Sequence, residues 1–103
     1  MNQWRSPTAE TVYRHHPHLA VRSAGTSKKA RQKVSHLDIE WADLIFIMET
    51  KHRNRLKLNF NKLLANKTLH TLYIEDIYQY MDPELIELIK TSVEPILAEH
   101  IRK

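Results

Sequence analysis

Leu44-Ile45-Phe46-Ile47-Met48, bounded by Ala42-Asp43 and Glu49-Thr50, is the run that sets the fold. Five consecutive apolar residues leave no polar face. A strand with no polar face must be covered on both sides, as strands of parallel sheets are when helices pack above and below. Downstream, Thr68 to Ile74 predicts a second strand with Leu69, Leu72 and Ile74 inside. Between the two, Thr50 to about Leu58 predicts a basic helix (Lys51, His52, Arg53, Arg55, Lys57) with Leu56 on its inner side, and Asn59 to Lys67 predicts a loop or broken helix. Strand, helix, strand is the unit from which parallel sheets are built.

Working towards the C-terminus, Glu75 to Met81 predicts a loop carrying Asp76, Tyr78 and Tyr80. Asp82-Pro83 then predicts a helix start, with Asp82 as cap and Pro83 in first position. Leu85, Ile86, Ile89, Val93, Ile96 and Leu97 recur at helical spacing. Pro95 interrupts this stripe, and two outcomes are open. Thr91 and Glu94 match a capping box, so a new helix can begin near Ser92; a kinked continuous helix is the other outcome.

Working towards the N-terminus, Ser35 to Ala42 predicts a loop with a brief helical turn, with Leu37, Ile39 and Trp41 inward. Ser27 predicts the cap of a short helix through about Val34. His18 to Ala24, with Leu19 and Val21 alternating, predicts a short strand. Ser6 to about Arg14 predicts a helix ended by His15-His16-Pro17, with Ser6 as N-cap and Pro7 in its first position. The sequence thus predicts one α/β domain over residues 1–103, with parallel strands at about 19–24, 44–48 and 69–74.

Composition narrows the function classes. A chain of 103 residues is the size of one domain. No apolar run approaches a membrane span and no signal peptide is present, so the expectation is a cytoplasmic protein without membrane contact. There is no cysteine, which removes disulfides and thiol chemistry. Gly25 is the only glycine, which removes glycine-rich nucleotide loops. The net charge of +4 suits ligands that carry phosphate. His15, His16 and His18 lack a carboxylate at ligand spacing, so neither metal nor cofactor is expected. Aromatics do not interleave the basic residues at 51–57, so that run is expected to be a solvated face and no nucleic-acid partner is expected.

The front of the chain, Asn2-Gln3-Trp4-Arg5-Ser6-Pro7-Thr8-Ala9-Glu10, reads as an anion cradle. The open amides of a helix start attract negative charge, and Arg5 adds a forked, permanently charged donor set. Asn2-x-x-Arg5-Ser6-Pro7-Thr8-Ala9-Glu10, then Ser23-Ala24-Gly25-Thr26, then Ala42 to Glu49, then Asp76-Ile77-Tyr78 together resemble the low-molecular-weight protein tyrosine phosphatase family, in that family's order.

The resemblance implies a three-layer α/β fold, a small parallel sheet with helices on both faces, here without its first, central strand. It implies a hydrolase of phosphomonoesters such as phosphotyrosine or aryl phosphates. Asn2, Gln3, Trp4, Arg5 and Ser6 fall on the phosphate-binding loop, with Arg5 as the clamp on the phosphoryl oxygens, Ser6 as the hydroxyl facing the sulfur, and Asn2 as the residue that holds the loop. Asp76 matches the general acid, with Ile77 where the family has proline. Tyr78 and Tyr80 match the tyrosines that wall the substrate pocket. In that chemistry a thiolate attacks phosphorus, and an aspartic acid protonates the leaving group and then activates water. The family's cysteine would lie two positions before Met1, and no cysteine replaces it. The expectation is therefore an inactive chain as given. A start assigned inside the phosphate loop is preferred over the other explanation, a shortened relative that binds anions without turnover. The absent strand leaves a gap that a second copy of the chain is one way to fill.

Overall fold

In the computed structural model, residues 4–25 and 33–102 are described. The chain forms α1 (Arg5–Tyr13), α2 (His36–Trp41), β1 (Leu44–Ile47), α3 (Thr50–Leu64), β2 (Thr68–Thr71) and α4 (Pro83–Arg102). These divide between two compact units: residues 1–23 with 74–103, and residues 24–73.

The 24–73 unit is the strand–helix–strand pattern that the apolar run at 44–48 demands. β1 and β2 pair in parallel, with Leu44 opposite Thr68 and Ile47 opposite Thr71. The Leu72 N–H extends the ladder by donating to the Ile47 carbonyl at 2.7 Å. Ile39, Ile47, Leu56 and Leu64 form the buried centre, with Val34, Ile45, Phe60, Leu63 and Leu69 around it. Each comes from a different element or a different turn, so the helices and the sheet share one apolar cluster. The connecting helix runs past the predicted stop at Leu58 and continues to Leu64, bending at Phe60 (φ −135°, ψ 28°). Leu63 and Leu64 explain the extension, because packing them into the cluster holds the last turn in helical form.

Two inward predictions in this unit fail together. Ile39 is buried, but Leu37 is 61% and Trp41 42% exposed. The segment is a helix of six residues with Ser35 as its N-cap, and Asp38 completes the capping box, its Oδ2 accepting from the Ser35 N–H at 2.9 Å. On a helix, positions 37 and 41 share a face and 39 lies opposite, so burying Ile39 turns the other two outward.

In the other unit, α1 packs against α4. α4 is one continuous helix with Pro95 inside it, so no new helix begins at Ser92. Leu85, Ile89, Val93 and Leu97 are its buried residues, four apart in strict succession. Asp82 caps it as predicted, its Oδ1 accepting from the Glu84 N–H at 2.9 Å. Ser6 is not the cap of α1. The ladder starts two residues earlier, with the Thr8 N–H donating to the Trp4 carbonyl at 2.9 Å, and Trp4 occupies the N-cap. Pro7 is then the third helical residue, still within the turn whose N–H groups have no helical partner.

Residues 19–24 are not a strand. A strand needs a neighbour to complete its ladder, and among the described residues none pairs with this segment. The Ser23 N–H donates instead to Glu10 Oε1 at 2.9 Å, and the Ser23 hydroxyl donates to the same oxygen at 3.3 Å. Beside it, Gly25 and Lys33 form an isolated parallel bridge. The helix predicted from Ser27 lies outside the described residues. What stands is a small mixed α/β arrangement of helices with a two-stranded parallel sheet.

Candidate functional site

Arg5 opens α1 and is 7% exposed, an unusual depth for an arginine. Its Nη1 donates to the Ile74 carbonyl at 2.5 Å, and its Nε lies 3.6 Å from Asp76 Oδ1. The Asp76 side chain is 17% exposed, and its Oδ1 has no hydrogen-bond partner. The loop after Ile74 thus brings a carboxylate to a cation 71 positions away. The two residues that the resemblance implies as phosphate clamp and general acid are ion-paired neighbours.

A second set of contacts fixes this loop to α1. Trp4, Thr8 and Thr11 lie on one helical face, at spacings of four and three. Trp4 meets Tyr80 with ring centroids 5.9 Å apart. Thr8 is fully buried, and its Oγ1 accepts the Met81 N–H at 3.0 Å. The Thr11 hydroxyl donates to the Pro7 carbonyl at 3.0 Å and lies 2.6 Å from the Tyr80 hydroxyl. With the Thr11 proton directed at Pro7, the Tyr80 hydroxyl is the donor in that contact. Met81 has a positive φ of 61°, a conformation costly for a residue with a Cβ. The Thr8 bond to its N–H holds that turn, and the turn delivers Asp82 to the start of α4.

Of the implied site residues, Trp4, Arg5, Asp76 and Tyr80 are gathered around the first turns of α1. Ser6, half-buried in the first turn, lies beside them in sequence. Asn2 and Gln3 lie outside the described residues. Tyr78 has different surroundings: desolvation and the carboxylates of Glu84, Glu75 and Asp82 raise its phenol above the ordinary tyrosine value. Thr8 and Thr11 were not singled out from the sequence. The signal for them was the 4–8–11 spacing on a helix otherwise poor in large apolar residues.

Chemically, a buried guanidinium suits a phosphoryl or carboxylate group, which it grips in a plane. An incoming anion competes with Asp76 for the same cation.

Fold and site together define a small mixed α/β protein with a paired arginine and aspartate at a helix N-terminus. No family model, no curated protein and no solved structure matches this chain. Among the described residues, no helix is long and apolar enough to cross a membrane.

Proposed function

We propose that this chain is a phosphate-binding domain of the low-molecular-weight tyrosine phosphatase kind, in which Arg5 holds the phosphoryl oxygens and Asp76 occupies the general-acid position. The observation that carries the proposal is the Arg5–Asp76 pair, formed across 71 positions in a partly buried setting. The ligand is inorganic phosphate or an aryl phosphate of the phosphotyrosine type. With no thiol among the 103 residues, the chain binds and does not turn over. The finer fold belongs to the same proposal. Among the described residues, 19–24 have no ladder partner, and in this proposal a strand outside the described residues, such as one from a second copy of the chain, pairs with them. A cytoplasmic setting, where phosphomonoesters and free thiols are both at hand, fits this chemistry.

The test is a titration of the 103-residue chain with phosphate and phenyl phosphate, followed by NMR at Arg5, Trp4 and Tyr80. Saturable shifts at these residues that vanish in Arg5→Ala are expected, together with no release of phenol. Shifts that are absent, or that survive Arg5→Ala, overturn the proposal. The enzymatic reading is favoured by the placement of Asp76 and is decided by the coding sequence upstream. An in-frame apolar strand ending in Cys-Ser supports it, and a stop codon or frameshift there rejects it.

A further inference from the structure

α3 holds five Lys and Arg residues (Lys51, Arg53, Arg55, Lys57 and Lys62) and no acid. The other residues have eleven cations against twelve acids, so this one helix accounts for the positive net charge. On the 24–73 unit, the helix borders a groove of about 450 Å³. Arg53, Lys57, Lys62 and Lys67 line it, with Asn61 between them, and no carboxylate does. The buried Leu64 and the half-buried Leu69 supply apolar surface in the same groove.

Three features separate this groove from an ordinary solvated face. Arg53 and Lys57 are like charges at i and i+4, an arrangement that costs helix stability. Among the described residues no acid pairs with Arg53, Lys57 or Lys62 to offset it. The Lys67 ammonium is fixed in place by the Glu40 carbonyl at 3.0 Å and the Ala42 carbonyl at 2.8 Å, so one cation of the set is already positioned. The cations are also spread out. Arg53 and Lys57 are separated by about 6 Å along the helix axis at 1.5 Å per residue, and Lys62 and Lys67 follow beyond the bend at Phe60. One phosphoryl group does not span them.

We infer that this groove is a second anion site, distinct from Arg5, that binds a small organic di- or triphosphate. The phosphoryl groups lie along Arg53, Lys57, Lys62 and Lys67, and the uncharged part of the ligand lies on Leu64 and Leu69. The volume falls in the range of small-molecule sites. No aromatic side chain lines the groove, so it lacks the stacking platform on which single-stranded nucleic acid is held.

The experiment is calorimetry of the full chain with ATP and with inorganic tripolyphosphate at low and moderate salt, with a single-stranded DNA oligonucleotide as competitor. One-to-one binding of ATP is expected, tighter than that of tripolyphosphate, and NMR shifts should map to residues 53–69. The surface variant Lys57→Gln/Lys62→Gln should weaken ATP binding at least tenfold while leaving the circular dichroism unchanged, and Arg53→Glu should do the same. Lys57→Gln/Lys62→Gln should leave the phosphate-induced shifts at Arg5, Trp4 and Tyr80 unchanged, which keeps this site apart from the one proposed above. The inference is overturned by an absence of saturable binding at millimolar ligand, or by affinity unchanged in both groove variants. Binding to DNA alone overturns it in favour of a polynucleotide partner. Equal affinity for ATP and tripolyphosphate overturns the part given to Leu64 and Leu69.

Discussion

Replacing Arg5 by alanine is the sharpest test of how the site is held. The substitution removes a charged donor from the Ile74 carbonyl, an interaction worth about 1.5–3 kcal/mol. It also strands the Asp76 carboxylate. At 3.6 Å and an effective dielectric near 20, the Coulomb attraction is about 4–5 kcal/mol, and desolvation of the two ions offsets most of it. Breaking a fully buried pair costs about 3–5 kcal/mol; Asp76 retains some exposure, so its share falls below that range. The combined expectation for Arg5→Ala is a loss of about 3 kcal/mol, a large part of the roughly 5–15 kcal/mol that holds a domain of this size. Urea unfolding followed by far-ultraviolet circular dichroism measures it. The double-mutant cycle with Asp76→Asn isolates the pair, and a coupling of about 1 kcal/mol or more is expected. A loss under about 1 kcal/mol, or single effects that simply add, would refute the pairing as a structural element.

Three further outcomes follow from the packing of α1 and α4. Burial, then the Glu94 carboxylate and the hydrogen bond to it at 3.4 Å, push the Tyr13 phenol up to about 12. The unfolded chain releases that proton near pH 10 and the folded chain does not, so stability should hold up to pH 10 and fall between about 10 and 12. Tyr13→Phe should flatten the decline in a pH series of urea midpoints, and an unchanged slope counts against the assignment. Thr8→Val keeps the shape of a fully buried side chain but leaves the Met81 N–H without its acceptor, for an expected loss of about 1–3 kcal/mol; thermal unfolding at wild-type temperature would reject it. Pro95→Ala restores a donor for the Thr91 carbonyl in the middle of α4, and after the gain in unfolded-chain entropy the net stabilisation should be about 1–2 kcal/mol. A lowered melting temperature would show that α4 needs the proline.

The sequence was legible where a single period ruled. The apolar run 44–48 implied a covered parallel strand, and β1 pairs in parallel with β2. The stripe 85, 86, 89, 93, 96 and 97 implied one apolar face; Leu85, Ile89, Val93 and Leu97 are buried, and Ile86 and Ile96 are half-buried at its border. Short elements were less legible. Residues 35–42 implied a loop with a brief helical turn and Leu37, Ile39 and Trp41 inward, but a helix over 36–41 puts Ile39 on the face opposite the other two. Residues 19–24 had strand composition but, among the described residues, no partner, and composition does not supply hydrogen bonds. At the site, Arg5 was legible from the helix start beside it and Asp76 from a resemblance, and their contact is a property of the folded chain. Thr8 and Thr11 stayed hidden because a threonine facing a loop has no sequence mark that separates it from a threonine facing water.

The division of the chain at residues 24 and 73 has a consequence for the order of folding. The 24–73 unit closes over short sequence separations, with its paired strands joined through α3. The other unit is assembled from both ends of the chain, through contacts such as Tyr13 with Glu94, which are 81 residues apart. During synthesis the inner unit has all its residues before α4 exists, so it collapses first, as elements rich in local contacts do. α1 then waits, with Arg5 and Thr8 uncovered, until the last quarter of the polypeptide has emerged. Already folded, the inner segment acts as a compact spacer and lowers the entropy lost in bringing the two ends together. Shifting the boundary between early and late folding should therefore change how long Arg5 stays exposed to chaperones and proteases.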